Sequence, residues 1–276
     1  MWSFIKLFVE RVPAIAEMYR AARNEWVWKR QKAVLTPDGF KLIGRKDMQS
    51  GLFESEETAL LKLLLERADV FVDVGANIGY YTCLARHLGK YSIAIEPLFE
   101  NLRYLYANMQ ENNWTDVEIW PIGVSNQVGM ASLYGGGTGA SLIGGWGGAS
   151  EYYKRAIGLS TLEILLGSRF VGKQLIIKMD VEGAEYAALQ GASLILDMSP
   201  RPLWLVEIGL SEHHPDGFNA NYISTFELFW QHGYKARTLG SESRVISSAE
   251  IAEWASKGSV PIGTGNYLFE PLLKNA

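Results

Sequence analysis

A single cysteine, Cys83, stands in a chain of 276 residues. No disulfide can close within such a chain, which excludes a cross-linked secreted scaffold and fits a reducing cytoplasm. Cys83 falls on the apolar face of a predicted helix, where a thiol acts as a small buried hydrophobe and not as a nucleophile. Long apolar runs are missing too: no stretch reaches the roughly 20 residues of a membrane span. The N-terminal residues lack the small-residue cleavage site of a signal peptide. Charge of one sign is not in excess. With 26 basic and 30 acidic side chains the net charge is −4 and the isoelectric point about 5.7, so no global positive field invites nucleic acid. Histidine is scarce, with four in the chain, and two of these, His213 and His214, are adjacent.

What is present is a large apolar fraction arranged in alternating elements. Hydrophobic residues make up 48% of the sequence, enough for one large α/β core with a small N-terminal extension. Leu35 to Leu42, around Pro37-Asp38-Gly39, reads as a hairpin, and Phe53 to Arg67 as an amphipathic helix. Strand Val70 to Gly75 is followed by helix Ile78 to Leu88, strand Ser92 to Glu96 by helix Phe99 to Asn112, and strand Val117 to Val124 by a short strand Ala131 to Tyr134. A brief helix Thr161 to Leu166, strand Leu175 to Asp180, helix Ala184 to Leu196, strand Leu203 to Ile208 and helix Tyr222 to Gln231 come next, with a last strand ending at Tyr267 to Glu270. This alternation predicts a doubly wound, Rossmann-like α/β sheet, mostly parallel. It places a helical extension with a short β element in residues 1–50 and the main domain in residues 51–276. Gly135 to Gly148, GGGTGASLIGGWGG, breaks the pattern. So many glycines hold no regular element. The segment reads as a surface loop, and as a lid over the active site with Trp146 as an apolar platform.

The most informative stretch is VFVDVGANIGYYT, Val70 to Thr82. An apolar strand runs through Asp73 into Gly75, Asn77 and Gly79, and a helix pattern starts at once. Such a unit lets a ligand approach bare backbone at the carboxyl end of a parallel strand. A dinucleotide fingerprint would set a second glycine where Asn77 stands, to admit pyrophosphate. Its absence suits a cofactor without phosphates, and Asp73 would repel pyrophosphate while attracting an ammonium or sulfonium group. The second strand ends in Glu96-Pro97, about twenty residues on, where a carboxylate can accept both ribose hydroxyl hydrogens. Asp180, in IIKMDVEGAE, and Glu207, in LWLVEIG, reach the same sheet edge. Asp180 or Glu182 can alternatively cap the following helix. Four strands thus end in Asp73, Glu96, Asp180 and Glu207, and His213 or His214 in the loop beyond is a candidate general base.

VDVGANIGYYT, AIEP followed by Asn101, KMDVEGAE, and WLVEIG followed by EHHPDGFN together resemble the FkbM-type S-adenosylmethionine-dependent methyltransferases, from about Gly51 to Phe269. The resemblance implies a seven-stranded sheet with a reversed last strand, placed at Asn266-Tyr267-Leu268-Phe269. It implies methylation of a hydroxyl, on a sugar or glycan or on a polyketide-type small molecule. S-adenosylmethionine would be held by Asp73, Gly75, Ala76, Asn77, Gly79, Glu96, Pro97, Asn101 and Asp180, with S-adenosylhomocysteine as product. The base that takes the hydroxyl proton is then one of His213, His214, Asp180 and Glu207; a divalent metal is an alternative that no ligand spacing demands. Trp146, Tyr152, Tyr153 and Trp204 offer faces for a sugar ring or serve as core. A nicotinamide-dependent oxidoreductase is disfavoured by the G-x-N-x-G turn, and a non-catalytic module by the four acidic strand ends. Nucleic-acid methylation is disfavoured by the acidic balance and by Asp180-Val181-Glu182-Gly183 in place of an Asn/Asp-Pro-Pro-aromatic motif.

The first 45 or so residues lie outside the resemblance. Phe4, Leu7, Phe8, Val12 and Ile15 share one helical face, Lys6, Arg11, Arg20, Arg23, Lys29 and Arg30 carry positive charge, and Trp2, Trp26 and Trp28 suit an interface. Residues 1–32 read either as a helix lying on a membrane surface or partner, or as one packed on the main domain. Glu10, Glu17 and Glu25 dilute the basic face and favour packing.

Overall fold

The computed structural model describes residues 13–240, 243–262 and 265–272. In chain order its strands are β1 (Val34–Leu35), β2 (Lys41–Leu42), β3 (Val70–Val74), β4 (Tyr91–Ile95), β5 (Glu118–Trp120), β6 (Gly123–Val124), β7 (Gly129–Tyr134), β8 (Lys154–Ser160), β9 (Leu175–Met179), β10 (Leu203–Glu207), β11 (Tyr234–Thr238), β12 (Val245–Ile246) and β13 (Asn266–Pro271). Eight of them form the central sheet in the order β12-β11-β13-β10-β9-β3-β4-β5. The run from β10 through β9, β3 and β4 to β5 is parallel. β13 is antiparallel to both β10 and β11, so the reversed last strand lies where its sequence placed it. The two-residue β12 adds an edge to the seven strands expected.

Period-two alternation divides each central strand between two cores. Val70, Val72 and Val74 of β3 and Leu175, Ile177 and Met179 of β9 face one core, with Leu189, Leu196 and Phe226 from the helices beyond. Phe71 and Ile176 face the other, with Leu61 and Leu65 of helix Ser55–Leu65 and Leu84 of helix Tyr80–His87. Burial on both faces explains why these strands read as continuous apolar runs. The β1–β2 hairpin joins the second core through Phe40 and Leu42. Asn108 ties it further, accepting from the Ile43 N–H at 2.6 Å and donating to the Ile43 carbonyl at 3.2 Å.

Helix Pro13–Trp28 packs on the main domain by one face. Ala16 is buried, Trp28 meets Tyr104 edge-on at 4.8 Å, and Glu25 pairs with Arg103 at 2.6 Å. Trp2, Phe4, Lys6, Leu7, Phe8, Glu10, Arg11 and Val12, assigned above to the same helix, lie outside the described residues. Among the described residues no helix is long and apolar enough to cross a membrane.

Two elements differ from the expected course. The strand expected over Val117 to Val124 is split at Pro121, which has no N–H for a ladder. Glu118–Trp120 pairs with β4, while Gly123–Val124 leaves to pair with β8 in a second sheet ordered β6-β8-β7. The helix expected over Ala184 to Leu196 is split into Glu185–Gln190 and Ser193–Leu196. Gly191 lies at the break, where a Cβ would come within 2.2 Å of the Ser125 carbonyl. The second sheet thus presses its backbone onto this position.

Candidate active site

The carboxyl ends of β3, β4 and β9, together with the glycine-rich segment 135–148, enclose a cleft with an empty volume of about 580 Å³. Of the residues expected to hold a cofactor, Gly75, Asn77, Glu96, Pro97, Asn101 and Asp180 line it. Ile95, Ile122, Val124, Leu133, Leu142 and Ile157 supply apolar wall. Glu96 is the buried polar group at its centre. Its Oε2 accepts the Asn77 N–H at 2.8 Å and its Oε1 accepts the Leu98 N–H at 2.7 Å. Burial pushes the Glu96 carboxyl up to about 7 against the pull of those N–H groups. Each oxygen keeps acceptor capacity beyond its single N–H. Asn101 donates to the Gly137 carbonyl at 3.1 Å and so fastens the glycine-rich segment to this wall.

Within the glycine turn, Gly75 lines the cleft and also serves packing, while Ala76 and Gly79 lie outside it. Gly75 has φ +84°, and a Cβ there would stand 1.8 Å from the Asp180 carbonyl. The glycine is therefore needed for the approach of β9 to β3 as well as for openness to a ligand. Gly79 has φ +85°, and a Cβ would meet Leu105 at 2.3 Å, so its role is helix packing. Ala76 is buried in the second core. Asp73 does not line the cleft. It lies opposite Lys178 in the β3–β9 register and accepts the Thr82 hydroxyl at 2.6 Å. Burial raises its carboxyl to about 6.

Behind the cleft, the Lys178 ammonium is 3.4 Å from both Glu57 and Asp180 and 4.9 Å from the centre of the Tyr81 ring. Glu207 lies outside the cleft lining, and burial together with the charge of Asp180 holds its carboxyl far above the usual carboxylate range. Of the four acidic strand ends, Glu96 and Asp180 share the cleft, while Asp73 is buried and Glu207 half-buried outside its lining. Among the described residues no group of three or more His, Cys, Asp or Glu side chains is arranged to hold a metal ion.

The pattern of the methyltransferase FkbM domain matches residues 73–236, more than half of the chain. The chain belongs to the FkbM methyltransferase family. No curated protein matches it. Its chain path is similar to that of a precorrin-6y C5,15-methyltransferase from Geobacter metallireducens GS-15, at 12% identity, covering 83% of this chain and 90% of that one with a TM-score of 0.42. A ribosomal protein L11 methylase from Lactobacillus delbrueckii subsp. bulgaricus is similar at 9% identity, covering 78% of each chain, TM-score 0.39. A SAM-dependent methyltransferase from Agrobacterium tumefaciens is similar at 8% identity, covering 87% of this chain and 69% of that one, TM-score 0.43. The likeness is one of fold.

In this methyltransferase the second motif of the sequence, KMDVEGAE, builds the junction between cleft and glycine-rich segment. Glu182 lines the cleft at φ +53°, and its Oε2 accepts the Trp146 indole N–H at 2.7 Å. Burial and the charge of Asp180 push the Glu182 carboxyl up to about 7. Its backbone carbonyl accepts the Ser141 hydroxyl at 2.5 Å. A Cβ on Gly183 would fall 2.5 Å from the indole, so this glycine makes the seat for Trp146. Glu185 accepts the N–H groups of Gly183 at 3.0 Å and Val181 at 3.3 Å, fixing the turn. Segment 135–148 is ordered by 3₁₀ turns at Gly137–Gly139 and Trp146–Gly148, and it walls the cleft with Gly137, Thr138, Ala140 and Leu142.

Neither His213 nor His214 lines the cleft. Both stand behind Trp146, with ring centroids at 5.9 and 4.6 Å, and the His213 carbonyl accepts the Gly147 N–H at 2.7 Å. Burial lowers the His214 imidazole, which favours its neutral form. Trp204 is fully buried in the core and offers no platform to a ligand.

Proposed function

We propose that this methyltransferase uses S-adenosylmethionine to methylate a hydroxyl of a sugar or glycan, of the kind found in polysaccharide or glycolipid biosynthesis. The observation that carries the cofactor reading is Glu96: a buried carboxylate at the tip of β4, lining a cleft, with one backbone N–H on each oxygen. A vicinal ribose diol can donate to that carboxylate. The apolar wall suits a flat heteroaromatic base, and the negative Asp180–Glu182 end suits a cation. When bound, S-adenosylmethionine supplies an electrophilic methyl group.

The chain's own contribution is alignment and proton removal. An alcohol is a weak nucleophile at neutral pH, so a group must take its proton as the new bond forms. Glu182 lines the cleft, is held by Trp146, and has a carboxyl near 7, where a general base works best. Of the residues first considered for this role, Asp180 alone shares the cleft, where its charge holds the Glu182 carboxyl up. Glu207 lies outside the cleft lining, and the histidines stand behind the indole. Carboxylates at this end also accept hydrogen bonds from neutral hydroxyl-rich molecules while repelling acidic ones, which supports a sugar acceptor.

Incubating the protein with S-adenosylmethionine and a panel of neutral saccharides, with mass analysis of the products, tests the reading. Methyl ethers on saccharide oxygens are the expected products. Methylation confined to nitrogen, carbon or sulfur acceptors would reject it.

A further inference from the structure

A second groove lies between helix Pro13–Trp28 and helix Phe99–Glu111, with an empty volume of about 1310 Å³. It adjoins the cofactor cleft, since Asn101 and Gly137 line both. Arg20, Arg23 and Arg103 line the groove beside Tyr104 and Tyr153. Two of the arginines in this region are already matched: Arg103 by Glu25 at 2.6 Å, and Arg155 by Glu100. Arg20 and Arg23 are not. Arg20 lies over the Tyr153 ring at 4.4 Å, and neither guanidinium meets a carboxylate among the described residues. The opposite deficit is found across the groove. Glu100 gives one oxygen to Arg155, while its Oε2 is buried and accepts no hydrogen bond among the described residues.

Donors without an anion and a buried acceptor without a donor therefore share one groove with flat aromatic faces. We propose that this groove binds a phosphate ester that also carries a hydroxyl, with the phosphate at Arg20 and Arg23, the hydroxyl donating to Glu100, and Tyr104 as the apolar floor. Guanidinium groups match phosphate oxygens in paired hydrogen bonds, and an orphaned buried carboxylate oxygen gains most from a donor. A soluble sugar phosphate and a hydroxyl-bearing phospholipid headgroup share this chemistry. The lipid source is worth a separate arm because the outward side of the same helix exposes Ile15, Met18, Tyr19 and Trp26 in one stripe. The site goes beyond the methyl-transfer reading and does not depend on which acceptor is methylated.

The test uses the full chain, as wild type, as the double variant Arg20→Ala/Arg23→Ala, and as Glu100→Gln. One arm titrates glucose 1-phosphate and inorganic phosphate by calorimetry. The other sediments the protein with phosphatidylcholine vesicles with and without phosphatidylglycerol. S-adenosylhomocysteine is titrated in parallel to show that each variant is folded. The proposal expects saturable binding in at least one arm, weakened at least about tenfold in the double variant with S-adenosylhomocysteine binding retained. It also expects Glu100→Gln to weaken glucose 1-phosphate more than inorganic phosphate. Binding of glucose 1-phosphate alone identifies a soluble ligand, and binding of phosphatidylglycerol vesicles alone a headgroup; either supports the site. No binding in both arms, or equal binding by wild type and double variant, overturns it. If S-adenosylhomocysteine fails to bind the wild type while these ligands do, the cofactor reading falls and the groove stands.

Discussion

Glu182 sits at φ +53°, a conformation that a non-glycine residue keeps only under constraint. The constraint is visible: Ser141 holds its carbonyl and Trp146 its carboxylate. If this carboxyl takes the acceptor's proton, Glu182→Gln lowers kcat by roughly 10² to 10⁴, and the wild-type rate rises with pH through an apparent value near 7. The indole hydrogen bond pulls that carboxyl down, so Trp146→Phe should move the same limb to higher pH. Rate measurements from pH 5.5 to 9 check both. Gly75→Ala faces a 1.8 Å approach to backbone at φ +84° and should destabilise the fold by at least about 3 kcal/mol in urea titrations. Glu96 and Asp180 were legible as cleft residues because each ends an apolar strand run. The hold on Glu182 was not, because Trp146 arrives from 36 positions away.

Segment 135–148 lacks regular structure yet is pinned at several points: Asn101 to Gly137, Trp146 to Glu182, and His213 to Gly147. Trp146→Ala removes the central pin and a buried indole. The expected outcome is faster proteolytic cleavage within the segment and about tenfold weaker S-adenosylhomocysteine binding, since Gly137, Thr138, Ala140 and Leu142 wall the cleft. Limited proteolysis and calorimetry read the two effects. At this scale β3, β4, β9, β10 and β13 stood out as apolar runs. β8 did not, because its first three residues, Lys154, Arg155 and Ala156, are not buried and Gly158 is a poor strand former, and β11 did not, because its inward residues include the small Ala236 and polar Thr238. Helix Ser248–Lys257 carries a signal in its sequence, the capping box of Ser247 and Glu250 at its start. The break at Pro121 could have been read from its missing N–H, but the switch of sheets depends on β8, distant in sequence.

Across the molecule, several buried carboxyls share one direction of shift. Asp73 is raised to about 6, and Glu96 and Glu185 to about 7, in each case chiefly by burial. Their ordinary values are 3.8 for Asp and 4.5 for Glu. The folded state thus holds these protons more tightly than the unfolded chain, so their contribution is full below about 4 and is lost as pH rises through 6 to 7. Glu118, held near 2 by Arg169, acts oppositely, but its contribution is lost only as pH falls through 2 and leaves the window above 5 untouched. The urea midpoint should therefore be higher at pH 5.5 than at pH 8. The groove beside helix Pro13–Trp28 was not foreseeable from residue order, since its walls come from four separated stretches of chain. The measurement that bears most directly on the cofactor reading is calorimetric titration with S-adenosylhomocysteine, with NADH as control, on wild type and Glu96→Ala, each checked for a cooperative unfolding transition. Micromolar binding of S-adenosylhomocysteine by the wild type, none of NADH, and at least about thirtyfold weaker binding by the variant is the predicted result. Absence of S-adenosylhomocysteine binding, binding of NADH instead, or equal affinity in the folded variant would contradict it.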